Sequence, residues 1–446
     1  MLICAFIPVQ DQHRPINSKP HQPQPMNSCT PSSAKLHASF LFARATTSVL
    51  SDGGQTSAQS FYNTYGSEHA ARFYNRPREV KELVIRLKDE PTFTVLLGPP
   101  SSGKTALARA VTSLRRADQT PEFHPLTIDL RAADTMKNGS FLNAFLLQGQ
   151  RHAIEGGWWN KWLSGLEVSA GGVSAKFGNK TVFPASAGNI FDDLATQLKP
   201  WDLVHGGRPP IIVVDEANFF KRIEDDTTQA FLDFAVRITK QEMKMHIIFT
   251  SSDSFFVNWL QKRVNPTHFS TLVVGDLPQQ EAHNYFLHVV ETHRQLSEKT
   301  KDFLKSLDFK IPFKMTGGRM FFIRKYVSQV CQSGYFENPM LFEPVTNAYA
   351  SMGSNFLGKA TTYKKQQAVD VAQLLVESPG YLPYANLVET FGDTVVEEMI
   401  ERNFLHYRPS ATFSRDLLPS PSEPVLTAQS APALCAMEEL LEKFGK

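Results

Sequence analysis

The chain has 446 residues, 42% of them hydrophobic, and its 46 Lys and Arg against 44 Asp and Glu leave a formal net charge of +2. This length predicts about two to four folded units, and the near-neutral charge gives no general argument for nucleic acid or an acidic membrane surface as partner. The 4 cysteines form no Cys/His cluster, which argues against a zinc site or a disulfide-stapled secreted fold, and no apolar run is long enough to predict a transmembrane helix.

The N-terminal segment differs in composition from the rest of the chain. Residues 1–50 contain a single acid, Asp11, against Arg14, Lys19, Lys35 and Arg44, and they are rich in Ser, Thr, Pro and Gln. This composition is typical of organelle transit peptides, so we predict residues 1–60 to be a disordered segment that directs the protein to the mitochondrial matrix. A plastid address, or a plain disordered tail on a cytoplasmic protein, is the alternative.

From about Phe61 onward, short apolar runs alternate with segments of helical spacing. We predict five strands from these runs: Phe93–Leu97, Leu126–Leu130, Ile211–Val214, Ile247–Thr250 and Thr271–Gly275. Strands that are apolar on both faces and separated by helices predict an α/β fold with a parallel sheet covered by helices. We assign this core to residues 61–277.

An insertion of about residues 155–188 separates the second and third of these strands. It contains Trp158, Trp159 and Trp162, followed by an alternating stretch that predicts a β-hairpin with Gly171 and Gly172 at the turn. The tryptophans either pack onto the core or contact a partner or a membrane surface, and the sequence leaves both open.

The C-terminal part of the chain is predominantly helical. Residues 278–345 are predicted to form a helical unit, with helices at Gln279–Thr292, Ser297–Leu307 and Arg319–Cys331. Residues 346–446 are predicted to form a winged-helix domain, because short helices precede a small hairpin. The helices are Gln366–Glu377, Tyr384–Phe391 and Asp393–Asn403, and the strands lie around Leu405–Arg408 and Val425–Thr427.

The strongest chemical signal is Gly98–Thr105 (GPPSSGKT), a complete G-x-x-x-x-G-K-[ST] motif between a predicted strand and a predicted helix. Glycines in such a loop let backbone N–H groups surround phosphate oxygens, and the helix N-terminus adds its positive dipole. Lys104 is predicted to reach the β and γ phosphates of ATP, and Thr105 to ligate Mg²⁺. The predicted nucleotide-binding residues are Gly98, Pro99, Pro100, Ser101, Ser102, Gly103, Lys104, Thr105 and Ala106.

A second signal is the pair of acids, Asp215 and Glu216, that ends the apolar strand Ile211–Val214. A buried strand does not end in two carboxylates for packing reasons, because each charge needs a partner or a metal. We therefore predict that Asp215 holds the Mg²⁺ shell and that Glu216 is the base that activates the attacking water.

Four further residues are candidates for the same reaction. Thr250 or Ser251, after the next strand, is predicted to sense the γ-phosphate, with Asp253 as the cap of the following helix. Transition-state charge usually also requires an arginine, from the same or a neighbouring subunit, and Arg263 and Arg319 are the candidates.

Taken in order, these residues resemble the AAA+/STAND superfamily, and within it a branch of archaeal-type ATPases that also has eukaryotic members. Besides Gly98–Thr105 and Asp215-Glu216, the resemblance rests on Phe73–Val80 (FYNRPREV), Gly275–Pro278 (GDLP) and Thr316–Arg319 (TGGR). It makes Arg76, in the first of these motifs, a further candidate nucleotide-binding residue. It implies the sheet order five, one, four, three, two, a helical lid over the nucleotide, and a C-terminal winged helix. Met320 departs from the pattern, which has proline there.

The function that these features predict is Mg²⁺-dependent ATP hydrolysis by a nucleotide-driven switch or remodelling ATPase with a protein partner. One alternative is a nucleotide-regulated DNA-binding or scaffold protein with weak hydrolysis. The predicted recognition helix, Asp393–Arg402, holds four acids and one base, and this disfavours nucleic acid. A small-molecule kinase is a third possibility, although residues 279–315 contain no arginine cluster. Formation of a homo-oligomer remains open.

Overall fold

The structure is a computed structural model that describes residues 76–131, 141–142, 144–145, 166–169, 172–177, 180–182, 187–198, 210–409 and 415–445. The predictions for residues 1–60, for Phe73, for the tryptophans at 158, 159 and 162 and for Gly171 lie outside these ranges. No helix within the ranges has both the length and the apolar character that a bilayer crossing requires.

Strands and helices alternate through the first half of the described chain. The strands are β1 (Phe93–Leu97), β2 (His124–Asp129), β3 (Leu166–Ser169), β4 (Gly172–Phe177), β5 (Lys180–Val182), β6 (Pro210–Asp215), β7 (His246–Ser251), β8 (Ser270–Val273), β9 (Tyr381–Pro383), β10 (His406–Arg408) and β11 (Val425–Thr427). The first α-helices are α1 (Pro77–Lys88), α2 (Lys104–Thr112), α3 (Ala187–Gln197), α4 (Asp225–Val236) and α5 (Phe256–Gln261). Those that follow are α6 (Gln279–Thr292), α7 (Glu298–Ser306), α8 (Lys310–Thr316), α9 (Met320–Ser333), α10 (Glu343–Phe356), α11 (Lys365–Glu377), α12 (Tyr384–Phe391), α13 (Asp393–Glu401) and α14 (Ala431–Phe444).

Five parallel strands form the central sheet in the order β2-β6-β7-β1-β8. Counted along the chain, this is the predicted order five, one, four, three, two, which confirms that expectation. Every residue of β1, β6 and β7 is buried, because helices cover both faces of the sheet. The carboxyl ends of the strands therefore meet at one edge, and the loops that follow them lie side by side.

The two faces of the sheet have different cores. On one face, Leu83 and Leu87 of α1 and Leu107 and Val111 of α2 pack against the strands. On the other face, phenylalanines dominate, and the rings of Phe231 and Phe249 stack with centroids 6.1 Å apart. The two cores pack against opposite faces of the sheet and so fix the positions of the strand ends beneath the loops.

The two strands of the predicted hairpin in the insertion are paired, and Gly172 belongs to the second of them. Strand β3 pairs antiparallel with β4, and the register joins Ser169 to Gly172. Gly172 is thus the first residue of β4, so the prediction that it is a turn residue is wrong. Alternating apolar residues specify the face of a strand and leave the position of a two-glycine turn ambiguous by one residue.

One continuous apolar core joins the helices after the sheet to the C-terminal elements. It runs from Leu277 to Leu440 and includes Phe286, Tyr326 and Phe404. The three predicted helices of residues 278–345 correspond to α6, α7 and α9, and the sequence pattern missed α8, α10 and α14. Near the C-terminus, α11, β9, α12, α13, β10 and β11 follow one another, and the strands form an antiparallel sheet in the order β10-β11-β9.

Candidate active site

The loop Gly98–Thr105 connects β1 to α2 at the carboxyl edge of the sheet. A Cβ atom on Gly98 would lie 2.3 Å from the backbone oxygen of Val274, so only glycine fits between the ends of β1 and β8. Gly103 caps α2 with a φ of 96°, a left-handed conformation that favours glycine. Pro100 and Ser101 are exposed at the tip of the loop, whereas Ser102 is buried.

Lys104 lies inside this loop. Its Nζ donates to the backbone oxygens of Gly98 and Pro99, both at 2.9 Å. Burial, together with the charge of Arg319, lowers the pKa of Lys104 to about 8 against the attraction of Glu216. The Ser102 hydroxyl is buried and has no hydrogen-bond partner among the residues that the structure describes. A buried cation and an unpaired hydroxyl next to a helix N-terminus fit a phosphate group.

Asp215 is fully buried at the end of β6 and joins three elements. Its Oδ1 accepts hydrogen bonds from the hydroxyls of Thr105, at 2.7 Å, and Thr250. Its Oδ2 accepts from Arg131 at 2.8 Å. Thr105 and Asp215 supply oxygen ligands of the kind that Mg²⁺ prefers.

Glu216 follows Asp215 with a φ of 55°, a strained conformation for a residue other than glycine. Its Oε2 accepts from the Ser252 hydroxyl at 3.1 Å, and its backbone N–H donates to Thr250 at 3.3 Å. The side chain is 20% exposed, so water can reach the carboxylate.

The residues after β7 have separate roles. Thr250 bridges Asp215 and the backbone of Glu216, whereas the Ser251 hydroxyl donates to Asn218 at 3.4 Å and accepts from the Asp253 backbone N–H. Asp253 accepts from the Phe255 backbone N–H, so it caps the turn that leads into α5.

Of the two candidate arginines, Arg319 lies close to the loop. Its guanidinium is 3% exposed, forms two hydrogen bonds with Asp276 at 2.9 and 3.2 Å, and donates to the backbone oxygen of Gln429 at 3.0 Å. The neighbouring Met320 lies against the loop, since its Cε would be 3.8 Å from a Cβ on Gly103.

Arg263 has different neighbours. Its Nη2 pairs with Asp225 at 2.9 Å, and its guanidinium stacks on Trp259, 4.5 Å from the ring centroid. It lines a cavity of about 700 Å³ together with Asp226 and His268, and none of the residues Gly98–Thr105 lines this cavity. The structure therefore does not bring Arg263 together with the loop of its own chain.

Arg76 supports the loop from the side of α1. Its Nη2 donates to the backbone oxygens of Ser102 and Gly275, both at 3.0 Å, and its Nη1 pairs with Glu79 at 3.4 Å. Burial lowers the pKa of this guanidinium, and Glu79 opposes the shift. Arg76 thus fixes the loop through backbone carbonyls.

Three C-terminal contacts reach the same region, and the sequence did not predict them. The buried His406 of β10 hydrogen-bonds the Ser254 hydroxyl at 2.8 Å. Arg415 pairs with both Glu79 and Glu281, at 3.1 and 2.8 Å. The carboxylate of Asp416 lies 2.4 Å from where a Cβ of Gly275 would be.

The sequence also missed Asp129, the last residue of β2, and Arg131, which follows that strand. Asp129 and Asp215 are paired residues at the ends of adjacent strands, and Arg131 contacts both carboxylates. The available signal was that β2, like β6, ends in an acid.

Known proteins resemble this chain in sequence and in fold. A model of an ATPase domain predominantly from Archaea matches residues 73–319, more than half of the chain. The fold is similar to that of the Walker-type ATPase PABY2304 of Pyrococcus abyssi, with 12% identity and a TM-score of 0.51 over 82% of this chain and 97% of that one. The structure of Drosophila ORC bound to DNA also matches, with 12% identity over 86% of this chain and 97% of that one and with a TM-score of 0.34. No curated protein matches the chain. The chain belongs to the family of ATPase domains found predominantly in Archaea, and it is an ATP-binding ATPase.

Proposed function

We propose that this ATPase hydrolyses Mg²⁺-bound ATP and uses the nucleotide state as a molecular switch that rearranges its C-terminal elements to control a protein partner. The observation that carries the proposal is the position of Arg319. Arg319 lies close enough to Lys104 to lower the pKa of its ammonium group, and it also donates a hydrogen bond to the Gln429 backbone shortly before α14.

The described residues divide the chemistry among themselves. Lys104, on leaving the carbonyls of Gly98 and Pro99, binds the terminal phosphates, while Thr105 and Asp215 hold Mg²⁺. The metal supplies neutralisation of phosphate charge when it is bound. Glu216 orients the attacking water and accepts its proton, and Thr250 fixes both carboxyl-bearing residues.

The switch follows from competition for Arg319. Arg319 donates two hydrogen bonds to Asp276 and one to the backbone of Gln429. A triphosphate at the loop attracts the same guanidinium, so part of the binding energy is available to weaken these contacts. Loss of the contact to Gln429 would free the start of α14 from the end of the sheet.

We further propose that α6–α9 form the lid, that the C-terminal elements form a winged helix, and that the chain belongs to the STAND branch. The order α11, β9, α12, α13, β10, β11 supports the winged helix. In α13, Glu398 accepts from the backbone N–H groups of Thr361 and Thr362, and Arg402 donates to Asn355. Arg402, the one basic residue of the predicted recognition helix, is thus engaged within the chain, which favours a protein partner over DNA.

The test compares Arg319→Gln with Arg324→Gln, the same change in α9, the helix that follows Arg319. Both are made in a Glu216→Gln background so that ATP stays bound. Hydrogen exchange of residues 425–445 is measured with and without Mg²⁺-ATP. We expect ATP to increase exchange in the background and in the Arg324 variant and to have no effect in the Arg319 variant.

Equal ATP-dependent changes in both variants would exclude Arg319 as the coupling residue. Calorimetric titration with ATP on the same samples separates this outcome from a failure to bind nucleotide.

We also propose that residues 1–60 direct the protein to the mitochondrial matrix, on the basis of their composition. A fusion of these residues to a reporter should be imported and cleaved by isolated mitochondria. A reporter that stays outside would contradict the proposal.

A further inference from the structure

Three carboxylates converge on the guanidinium of Arg131. Nε and Nη2 donate to the two carboxylate oxygens of Asp129, both at 3.0 Å. Nη2 also donates to Asp215 at 2.8 Å, and Nη1 lies 3.9 Å from Glu216. The side chain is 40% exposed, so it reaches this cluster from the solvent side.

The sheet register explains why a cation is required there. Asp129 and Asp215 are directly paired at the carboxyl ends of the parallel strands β2 and β6. Asp215 is fully buried, and two neighbouring carboxylates repel each other unless a positive charge lies between them. Arg131 supplies that charge.

The two oxygens of Asp215 face different partners. Oδ1 accepts from Thr105, the candidate metal ligand of the phosphate loop, whereas Oδ2 accepts from Arg131. A divalent cation bound between Thr105 and Asp215 would therefore lie next to the guanidinium. The metal ion and the guanidinium would therefore compete for the negative charge of Asp215.

We propose that Arg131 is the resident counter-ion of the metal site: it neutralises Asp129 and Asp215 while no metal is bound, and Mg²⁺ has to displace it. The proposal rests on the Mg²⁺ dependence proposed above. Arg131 acts through Asp215 and is a positioning residue. Because Mg²⁺ has to displace Arg131, the site binds a divalent cation weakly when no nucleotide is bound. It binds the cation together with the nucleotide, whose phosphates supply further negative charge.

The geometry allows such a displacement. The backbone N–H of Arg131 donates to Asp129 at 3.0 Å independently of the side chain, so the chain stays anchored when the guanidinium leaves. The half-exposed side chain has solvent on one side, where a released guanidinium is hydrated at little cost.

The test measures Mn²⁺ binding to nucleotide-free protein by electron paramagnetic resonance. Arg131→Met removes the charge, Arg131→Lys keeps it, and Arg116→Met is the control, because Arg116 pairs with Glu122 on the surface. We expect Arg131→Met to bind Mn²⁺ about tenfold more tightly than the wild type. One adjacent charge typically shifts the pKa of a carboxylate by about one unit, and we expect its removal to change the affinity for another cation by the corresponding factor. The lysine and control variants should stay near the wild type.

Unchanged or weaker Mn²⁺ binding by Arg131→Met would overturn the proposal, because a purely structural ion pair predicts no gain in metal affinity. If that variant fails to fold, Arg131→Gln removes the charge with retention of hydrogen-bond donors and carries the same expectation. Binding of Mn²⁺-ATP to the wild type is measured in parallel. Its absence would contradict the proposed Mg²⁺ dependence itself, which distinguishes the two failures.

Discussion

Thr105 and Asp215 lie 110 positions apart in the chain, and the hydroxyl of the first donates a hydrogen bond to the carboxylate of the second at 2.7 Å. Thr105 belongs to the first turn of α2, and Asp215 ends β6. Strand β7 lies between β6 and β1 in the sheet, and its Thr250 donates to the same carboxylate oxygen. The carboxyl ends of β6 and β7 and the helix that follows β1 thus meet at one oxygen atom, and the geometry of the site depends on the sheet order.

Glu216→Gln should abolish hydrolysis and retain ATP binding. The amide cannot accept a proton from water, and loss of a general base typically lowers the rate by about 10²- to 10⁴-fold. Phosphate release under saturating ATP measures turnover, and calorimetry measures binding. Glu224→Gln is the matched control, since Glu224 lies exposed before α4 and accepts from Thr227. Wild-type turnover by Glu216→Gln would remove Glu216 from the role of base.

Thr250→Val should impair catalysis through loss of two hydrogen bonds. The valine has nearly the same shape, but it leaves Asp215 Oδ1 with the Thr105 hydroxyl alone and the Glu216 N–H without its partner. Each loss costs about 1–3 kcal/mol, so we expect roughly a ten- to hundredfold lower kcat/KM and a higher Mg²⁺ requirement.

Initial rates across a Mg²⁺ titration test this expectation. The control is Thr94→Val, the same change at a buried position in the neighbouring strand β1, where the hydroxyl contacts Thr92. A similar loss in both variants would show that Thr250 contributes only to packing.

Local patterns were sufficient to predict the phosphate loop and the acids after β6. Gly98–Thr105 carries its chemistry in consecutive residues, and Asp215 and Glu216 are marked by the apolar strand before them. The parallel sheet followed from the apolar character of the strands, whereas the order of the strands followed from the family resemblance alone.

Contacts between distant segments were not predictable in this way. Arg131 meets Asp215 across 84 positions, Arg319 meets Gln429 across 110, and Ser254 meets His406 across 152. Strand register fixes the first of these pairs, and docking of the C-terminal elements fixes the other two. Neither leaves a periodic signal in a single sequence, because each partner looks locally like an ordinary polar residue.

Nucleotide affinity should fall as the pH rises through about 8. Burial lowers the pKa of Lys104 to about 8, so above that pH the free protein loses the ammonium that binds phosphate. Bound phosphate favours the protonated form, and binding therefore takes up a proton in this range. Stability shows the opposite sign: between about pH 8 and 10.5 the unfolded lysine holds more protons than the folded one, so its contribution to the free energy of unfolding grows with pH.

Calorimetric titration with ATP from pH 7 to about 9.5 tests the binding part of this prediction. Lys104→Arg is the informative control, because a guanidinium stays protonated throughout and its weaker binding should not change with pH. An affinity that is constant for the wild type across pH 8 would contradict the role of Lys104.

Gly275→Ala should weaken the attachment of the C-terminal segment to the end of β8. A Cβ there would lie 2.4 Å from Asp416, whose carboxylate is buried in an ion pair with Arg408 that a shift of the side chain would disturb. Overpacking of this kind costs about 1–3 kcal/mol in the free energy of unfolding. Because the Gly275 carbonyl also accepts from Arg76, we expect a higher KM for ATP as well.

Gly353→Ala is the matched control for that substitution. Gly353 lies inside α10, and a Cβ there would meet no atom within 4 Å. Alanine should therefore stabilise this helix by roughly 0.5–1 kcal/mol and leave the KM unchanged. Urea denaturation of both variants measures the two effects, which have opposite signs. If Gly275→Ala were as stable as the wild type, Asp416 would have to move freely, and its ion pair with Arg408 could not be what holds the C-terminal segment against the sheet.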